Sequence, residues 1–229
     1  MNEHYQITHQ EIIKNFTSIK EKIIFAADKA DRDPSTIKLV AVTKKFNEDT
    51  IKPILDLGHL EFGENRIQES LNKWPRILEE YKNIRLHLIG PLQTNKTKEC
   101  LTLFDTIHTL DRLKLASILD KEMNNCMASK KIYMQVNTGL EEQKSGILPS
   151  SINSFLKDTK DIDSFNITGL MCIPPVDEEP SIHFAFLKKL SDTYNLKDLS
   201  MGMSNDFEKA ILFGSTCVRI GAGIFGKRG

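Results

Sequence analysis

Two adjacent lysines, Lys44 and Lys45, follow the apolar run KLVAVT at residues 38–43. A lysine amine at the end of a buried strand is partly desolvated, which lowers its pKa and frees it to condense with a carbonyl as a Schiff base. A solvated strand-end lysine is the commoner case and does no chemistry. Alternation sends Lys44 and Lys45 to opposite faces of the strand, so one of them is expected at the inner face. Near the other end of the chain, GAGIFG at 221–226 matches G-x-G-x-x-G. A dinucleotide fingerprint needs a following helix, a second strand and an acidic residue about 20 positions on. Only three residues follow the motif in this sequence, so dinucleotide binding is not expected. The same glycines suit a concave nest of backbone N–H groups for a phosphate. Ser204, in SNDFEKA, stands at the start of a predicted helix whose N–H groups and dipole favour an anion. A simple helix cap and a tight turn are the plainer alternatives. Arg219 lies in the apolar segment VRI and must be paired or hydrogen-bonded if buried. Its partner is either a carboxylate or a ligand acceptor such as a ring nitrogen; the residues alone leave both open. His87 and His108 fall in predicted strands, within reach of the interior. No HxH, HExxH, GxSxG or Walker pattern is present, so no metal is expected and satisfied core histidines are the simpler reading.

The elements that position these groups alternate. An amphipathic helix is predicted over about 9–29, where Ile12, Ile13, Phe16, Ile19, Ile23 and Ala26 recur at helical steps. Strand-like runs come next at 38–43, 60–62, 85–89, 106–108, 132–136, 167–171, 199–201 and 217–220. Helical stretches lie between them at 49–57, 66–80, 95–103, 111–124, 149–160, 182–194 and 205–213. Strands alternating with helices argue a parallel α/β sheet. Eight such units in 229 residues fit a single (β/α)8 TIM barrel at the compact end of its size range, with an extra N-terminal helix. A doubly wound sheet is the alternative. No linker divides the chain, so one domain over 1–229 is expected. In a barrel the chemistry sits on the loops after the strands, and those loops are where Lys44, Ser204 and the final glycines fall.

Composition bounds the partners. Lys plus Arg and Asp plus Glu each total 31, so the formal charge is zero, and no basic surplus points to nucleic acid. With 40% hydrophobic and 27% charged residues the chain reads as globular. No apolar run has membrane-spanning length, and the polar opening MNEHYQITHQ lacks a secretory h-region. A cytoplasmic location without membrane association is expected. Cys100, Cys126, Cys172 and Cys217 have no CxxC or zinc spacing and read as reduced thiols.

Taken together, AVTK at 41–44, FGENRIQE at 62–69, HLIGPLQTNK at 87–96, SG at 145–146, GLMCIPP at 169–175, LSMGMSNDFEKAI at 199–211 and GSTCVRIGAGIFG at 214–226 resemble the PLP homeostasis proteins. These are pyridoxal 5′-phosphate (PLP) binding proteins related to the N-terminal barrel of alanine racemase. The resemblance runs from about Val40 to Arg228, with seven motifs in order. It implies that Lys44, not Lys45, carries PLP as an internal aldimine. It implies that Asn65 and Met171 lie beside the cofactor ring, that Ser204 with the backbone of Gly221 and Ala222 holds the phosphate, and that Arg219 faces the pyridine nitrogen. Ala222 stands where the family usually has Thr or Ser, which implies somewhat weaker phosphate retention. Lys45 and Phe46 lie where the family varies, and are expected to affect access to Lys44.

PLP stabilises carbanions best when its ring nitrogen is protonated and paired with a carboxylate. An arginine there is a donor only and weakens that electron sink. Racemases that resemble this barrel add a second domain and a second base across a dimer interface. Here only Lys227, Arg228 and Gly229 come after the barrel. The expectation is therefore a monomeric, non-catalytic carrier that stores, buffers or delivers PLP to apo-enzymes. An alanine-type racemase is the second reading, and a PLP-free Schiff-base aldolase acting on a phosphosugar is the third.

Overall fold

The computed structural model describes residues 7–127 and 129–226. Lys227, Arg228 and Gly229 therefore lie outside the described residues, and with them the expectation about the chain beyond the barrel. The order of elements is α1 (His9–Asp28), β1 (Lys38–Val42), α2 (Glu48–Asp56), β2 (Glu61–Glu64), α3 (Ile67–Glu80), β3 (Arg85–Leu88), α4 (Thr97–Leu103) and β4 (Thr106–Leu110). The second half comprises α5 (Leu113–Cys126), β5 (Lys131–Gln135), α6 (Ile152–Asp158), β6 (Ile167–Met171), α7 (Pro180–Tyr194), β7 (Asp198–Ser200), α8 (Phe207–Leu212), β8 (Cys217–Ile220) and α9 (Ala222–Phe225).

Each strand pairs in parallel with the next, and β8 returns to β1 with Val40 opposite Arg219 and Ala41 opposite Ile220. That closure decides for the barrel over a doubly wound sheet. Parallel strands are covered on both faces, which is why their sequences are nearly continuous apolar runs. Leu39, Ala41, Phe62, Leu86, Leu88 and Ile107 join the layer shared with the helices. The opposite face looks into the lumen, and there the side chains turn polar: His87, His108, Ser200 and Arg219 are all buried.

Helix α1 starts with a capping box. The Glu11 N–H donates to Thr8 Oγ1 at 3.2 Å, and the Thr8 N–H donates to Glu11 Oε2 at 2.8 Å. Its buried stripe of Ile12, Phe16, Ile19, Ile23 and Ala26 packs on α2, α8 and α9, across the seam where β8 meets β1. Beneath it His59 lies between the rings of Phe16 and Phe62, at 5.0 and 5.1 Å. Its Nε2 meets the Glu61 carbonyl at 2.8 Å, so the N–H is on that nitrogen.

Burial pushes the His59 imidazole from 6.5 down to about 4, so the ring is neutral in the folded chain. The unfolded chain takes up that proton first as pH falls, so stability present above about pH 6.5 is lost on the way down to pH 4. A depression of this size corresponds to about 3 kcal/mol at most. His87 and His108, also pushed down chiefly by burial, act with the same sign. The urea midpoint is expected to fall between about pH 6.5 and pH 4, and a flat profile across that window contradicts this assignment.

Most strand limits match the sequence reading within two residues. The second strand runs to Glu64 rather than stopping at Phe62, because Gly63 and Glu64 carry no apolar signal although both are buried. The helix read from Asn205 begins at Phe207, with Asp206 in the N-cap position; its side chain accepts the Met203 N–H at 2.5 Å and makes no bond to the helix amides. Ser204 is therefore in the preceding turn and is not the cap. The four-residue α9 directly after β8 leaves no mark in the sequence: its segment is AGIF, with too few residues to show a period.

Candidate functional site

Strand β1 ends at Val42, so the two lysines lie in a turn rather than on alternating strand faces. The Phe46 N–H donates to Thr43 O at 3.1 Å, and Lys45 takes φ +65°. Lys44 is half-buried and Lys45 exposed. Lys45 lines an outer cavity with Phe46, Glu69 and Arg76. The turn is held from α3: the Lys45 N–H donates to Glu69 Oε1, and Lys73 Nζ donates to Thr43 O at 2.8 Å and Phe46 O at 2.9 Å. Lys73 also pairs with Glu64 Oε1 at 2.6 Å. That same oxygen accepts from Thr43 Oγ1 at 2.7 Å and Trp74 Nε1 at 3.0 Å. Glu64 is fully buried. Sequence reading passed over Glu64 and Lys73, since a charge on a helix normally reads as a solvated face. The one signal was that Glu64 belongs to FGEN.

Asn65 lies just after β2. Its backbone is pinned by Gly90, where a Cβ would stand 2.2 Å from Asn65 O. Its Oδ1 is buried with no hydrogen-bond partner among the described residues. The side chain borders a cavity of about 310 Å³ at the barrel mouth, shared with Thr109, Gln135, Asn137 and Lys144. The loop after β5 folds over this mouth, with Gln135 Nε2 donating to Ser145 O at 3.0 Å and Asn137 Nδ2 to Glu141 O at 2.8 Å. These loop residues were not singled out individually from sequence, although the SG at 145–146 marked the segment.

On the opposite side, Ser204 Oγ accepts the Gly223 N–H at 3.0 Å, which joins the loops after β7 and β8. The Ser204 hydroxyl proton has no acceptor among the described residues. Gly221 packs on the end of β1, where a Cβ would lie 3.3 Å from Val42 Cβ, and Ala222 begins α9. Within the loop after β7 Gly202 takes φ +95°, and a Cβ there would sit 2.6 Å from Ala210 Cβ and 2.9 Å from Phe207 Cα. Its carbonyl accepts the Arg219 N–H at 3.0 Å. Gly202→Ala is expected to cost about 3 kcal/mol by adding a left-handed backbone penalty to a steric clash. A change below about 1 kcal/mol in chemical denaturation runs against that geometry.

Arg219 is fully enclosed. Its Nη1 donates to Ser200 Oγ at 2.5 Å and its Nη2 to Cys172 O at 2.9 Å. No carboxylate pairs with it among the described residues, which removes the ion-pair alternative. Burial lowers its pKa from the ordinary value, yet a guanidinium remains protonated at neutral pH. Met171 is opposite Ser200 in the ladder, and so stands next to the Arg219 contacts.

The seven expected residues thus gather at the carboxyl ends of β1, β2, β6, β7 and β8. Ser204 is joined to the 221–223 loop, and Met171 neighbours the contacts of Arg219. The Asn65 amide oxygen is bonded to none of the other six. Active sites of closed parallel barrels occupy this end. Among the described residues no group of three or more His, Cys, Asp or Glu side chains is placed to hold a metal. No helix among them is long and apolar enough to cross a membrane.

Residues 10–229 match the family described as alanine racemase, N-terminal domain. The pyridoxal phosphate homeostasis protein of Pseudomonas aeruginosa is 37% identical over 222 residues, covering 95% of this chain and 96% of that protein. Its counterpart from Escherichia coli K12 is 33% identical over 227 residues, covering 95% and 97%. PipY of Synechococcus elongatus, in its PLP-bound structure, superposes with a TM-score of 0.81 at 30% identity, covering 94% of this chain and all of that one. Alanine racemase of Corynebacterium glutamicum shares the fold alone, with a TM-score of 0.68 at 15% identity over 97% of this chain and 62% of the racemase. On the closed barrel, the gathered site and these likenesses, the chain belongs to the pyridoxal phosphate homeostasis protein family, built on the alanine racemase N-terminal domain fold.

Proposed function

We propose that this chain is a single PLP-binding barrel domain that holds the cofactor covalently on Lys44 and stores, buffers or delivers it to apo-enzymes without turning over a substrate. The buried Arg219 carries this reading. Its contacts among the described residues are a hydroxyl and a carbonyl, with no carboxylate, and a guanidinium is a donor-only group suited to an unprotonated pyridine nitrogen. Two groups unsatisfied among the described residues support the fit: the Asn65 amide oxygen, buried without a donor, and the Ser204 hydroxyl, whose proton has no acceptor there. A ring-side hydroxyl and a phosphate are the complements those groups lack. Ala222 offers a backbone N–H and no hydroxyl, so phosphate capture falls to Ser204 and the amides of the 221–223 turn.

When bound, PLP supplies an aldehyde for condensation with an amine and a ring able to withdraw electrons. The protein's part is positional. Lys44 offers the amine from a turn clamped by Lys73 and Glu69, and Arg219 keeps the ring nitrogen from gaining a proton. An unprotonated ring nitrogen is the weaker electron sink, so turnover of a substrate here would call for a second base to compensate. PLP homeostasis relatives at 33–37% identity support the carrier reading, whereas racemases share the fold at 13–15%.

The test is incubation of the PLP-loaded chain with L- or D-alanine, alongside a transfer assay to an apo-enzyme of unrelated fold. Recovery of the apo-enzyme's activity without interconversion of alanine is the expected result. Sustained interconversion in proportion to protein concentration overturns the carrier reading in favour of a racemase. A chain that takes up no PLP overturns both.

A further inference from the structure

The barrel lumen contains one continuous file of hydrogen bonds that the cofactor reading does not account for. At the amino end of the barrel, Lys38 Nζ pairs with Glu61 Oε1 at 3.0 Å. Glu61 Oε2 lies 2.6 Å from His87 Nε2, and His87 Nδ1 lies 2.9 Å from His108 Nε2. His108 Nδ1 lies 2.8 Å from Ser200 Oγ, which accepts from Arg219 Nη1 at 2.5 Å. His108 is on β4 and Ser200 on β7, strands that are not neighbours, so this bond crosses the lumen. The file thus runs from the end opposite the cofactor site to the arginine beneath it. Glu61 opens on a cavity of about 370 Å³ under α1, whereas His87, His108, Ser200 and Arg219 are buried.

The two ends of the file are one-way groups. A guanidinium only donates, and a carboxylate only accepts. Starting from Glu61, His87 must carry its proton on Nε2, which leaves Nδ1 as an acceptor. His108 then donates from Nε2, and its own Nδ1 accepts the Ser200 hydroxyl proton. The Ser200 oxygen is left to accept from Arg219. Every bond is satisfied, both rings are neutral, and the direction is the same throughout. The reverse tautomers would set the His87 Nε2 lone pair against the Glu61 carboxylate.

From this geometry we infer that the file is a directional relay in which Glu61 is the terminal acceptor, and that His87, His108 and Ser200 are positioning residues that hold Arg219 as a donor toward the cofactor ring. Aligned hydrogen bonds in a low-dielectric interior polarise one another, so the carboxylate's influence extends along the file. The surroundings agree. Burial alone would raise the Glu61 carboxyl, but the His87 contact and Lys38 outweigh it and bring it to about 2, so the acceptor stays ionised. Burial pushes both imidazoles below their usual range. The charged or titratable neighbours of the file are Lys38, His59, Asp105, Lys131, Tyr133, Cys172, Asp206 and Cys217; Tyr133 stacks on His108 at 4.5 Å.

The role toward the cofactor rests on the proposed PLP site, whereas the direction of the relay is testable without it. Histidine-labelled protein free of PLP is to be examined by long-range proton–nitrogen correlation NMR between about pH 5 and pH 8, the range in which imidazoles ordinarily titrate. Both rings are expected as neutral Nε2–H tautomers throughout. In Glu61→Gln the amide can donate as well as accept, so mixed tautomers are expected at His87. An Nδ1–H tautomer or an imidazolium at either ring in the unmodified protein overturns the relay. In the second arm, PLP-loaded Glu61→Gln and Ser200→Ala are dialysed beside the parent after melting curves have confirmed their fold. Release about tenfold faster, the worth of one hydrogen bond, is expected for Ser200→Ala. Parental release in both variants, with the tautomers as expected, overturns the positioning role. If the parent takes up no PLP, the functional reading fails, and the relay stands or falls on the tautomers alone.

Discussion

Replacing Lys44 by alanine is expected to abolish the visible absorption of the PLP-loaded protein, whereas Lys45→Ala leaves it in place. Loss of the covalent link lowers PLP retention by on the order of a hundredfold or more, at about 1.4 kcal/mol per tenfold step. The two lysines are adjacent but differently placed. Lys44 is half-buried at the mouth, while Lys45 takes a left-handed conformation and lines an outer cavity. Borohydride reduction and then peptide mapping is the direct check, with the adduct expected on Lys44. A Lys44→Ala protein that remains yellow, or a reduced adduct on another lysine, contradicts the assignment of the anchor. A parent protein that stays colourless with added PLP contradicts the cofactor itself and moves the phosphosugar reading to the front.

The second large effect is expected in the support of the Lys44 turn. Lys73→Met should destabilise the chain by about 3–5 kcal/mol, the usual result of removing one partner of a buried ion pair. Lys73 is 9% exposed and Glu64 fully buried. The substitution leaves Glu64 with only Thr43 and Trp74 as donors to one oxygen, while the other already lacks a partner. It also removes the two bonds that hold the Thr43–Phe46 turn, so PLP retention is expected to fall with stability. Combining Lys73→Met with Glu64→Gln removes the stranded charge and is expected to recover part of the loss. Urea denaturation of the two single variants and the double variant measures this. A Lys73→Met cost below about 1 kcal/mol would mean that the pair is solvated rather than structural.

Glu64 and Lys73 also show where reading the sequence stopped short. Each is a charged residue, and charged residues are exposed in most proteins. Their burial depends on α3 lying against the end of β1, a contact between segments about 30 positions apart. The same holds for the lumen. His87 and His108 were legible as strand histidines near the interior. That they form one file with Glu61, Ser200 and Arg219 emerges only once β4 faces β7 across a closed barrel. For Arg219 the residues left open a carboxylate or a ligand. The structure removed the carboxylate by placing a hydroxyl and a carbonyl at its nitrogens.

Local chemistry accounts for the features legible from the start. Short apolar, β-branched runs such as KLVAV favour strands buried on both faces, and the stripe from Ile12 to Ala26 favours a helix with one buried side. Their order along the chain dictates eight alternating units, and the ordered motifs place Lys44, Ser204 and Arg219 at the strand ends. Those properties depend on neighbours within a turn or a strand, which is why they are legible in the residues alone. Closure through the pairing of β1 with β8, the burial of Glu64 with Lys73, and the direction of the lumen relay belong to the tertiary structure. They join residues from 9 to 179 positions apart, and no local preference encodes which polar groups will meet when the barrel shuts.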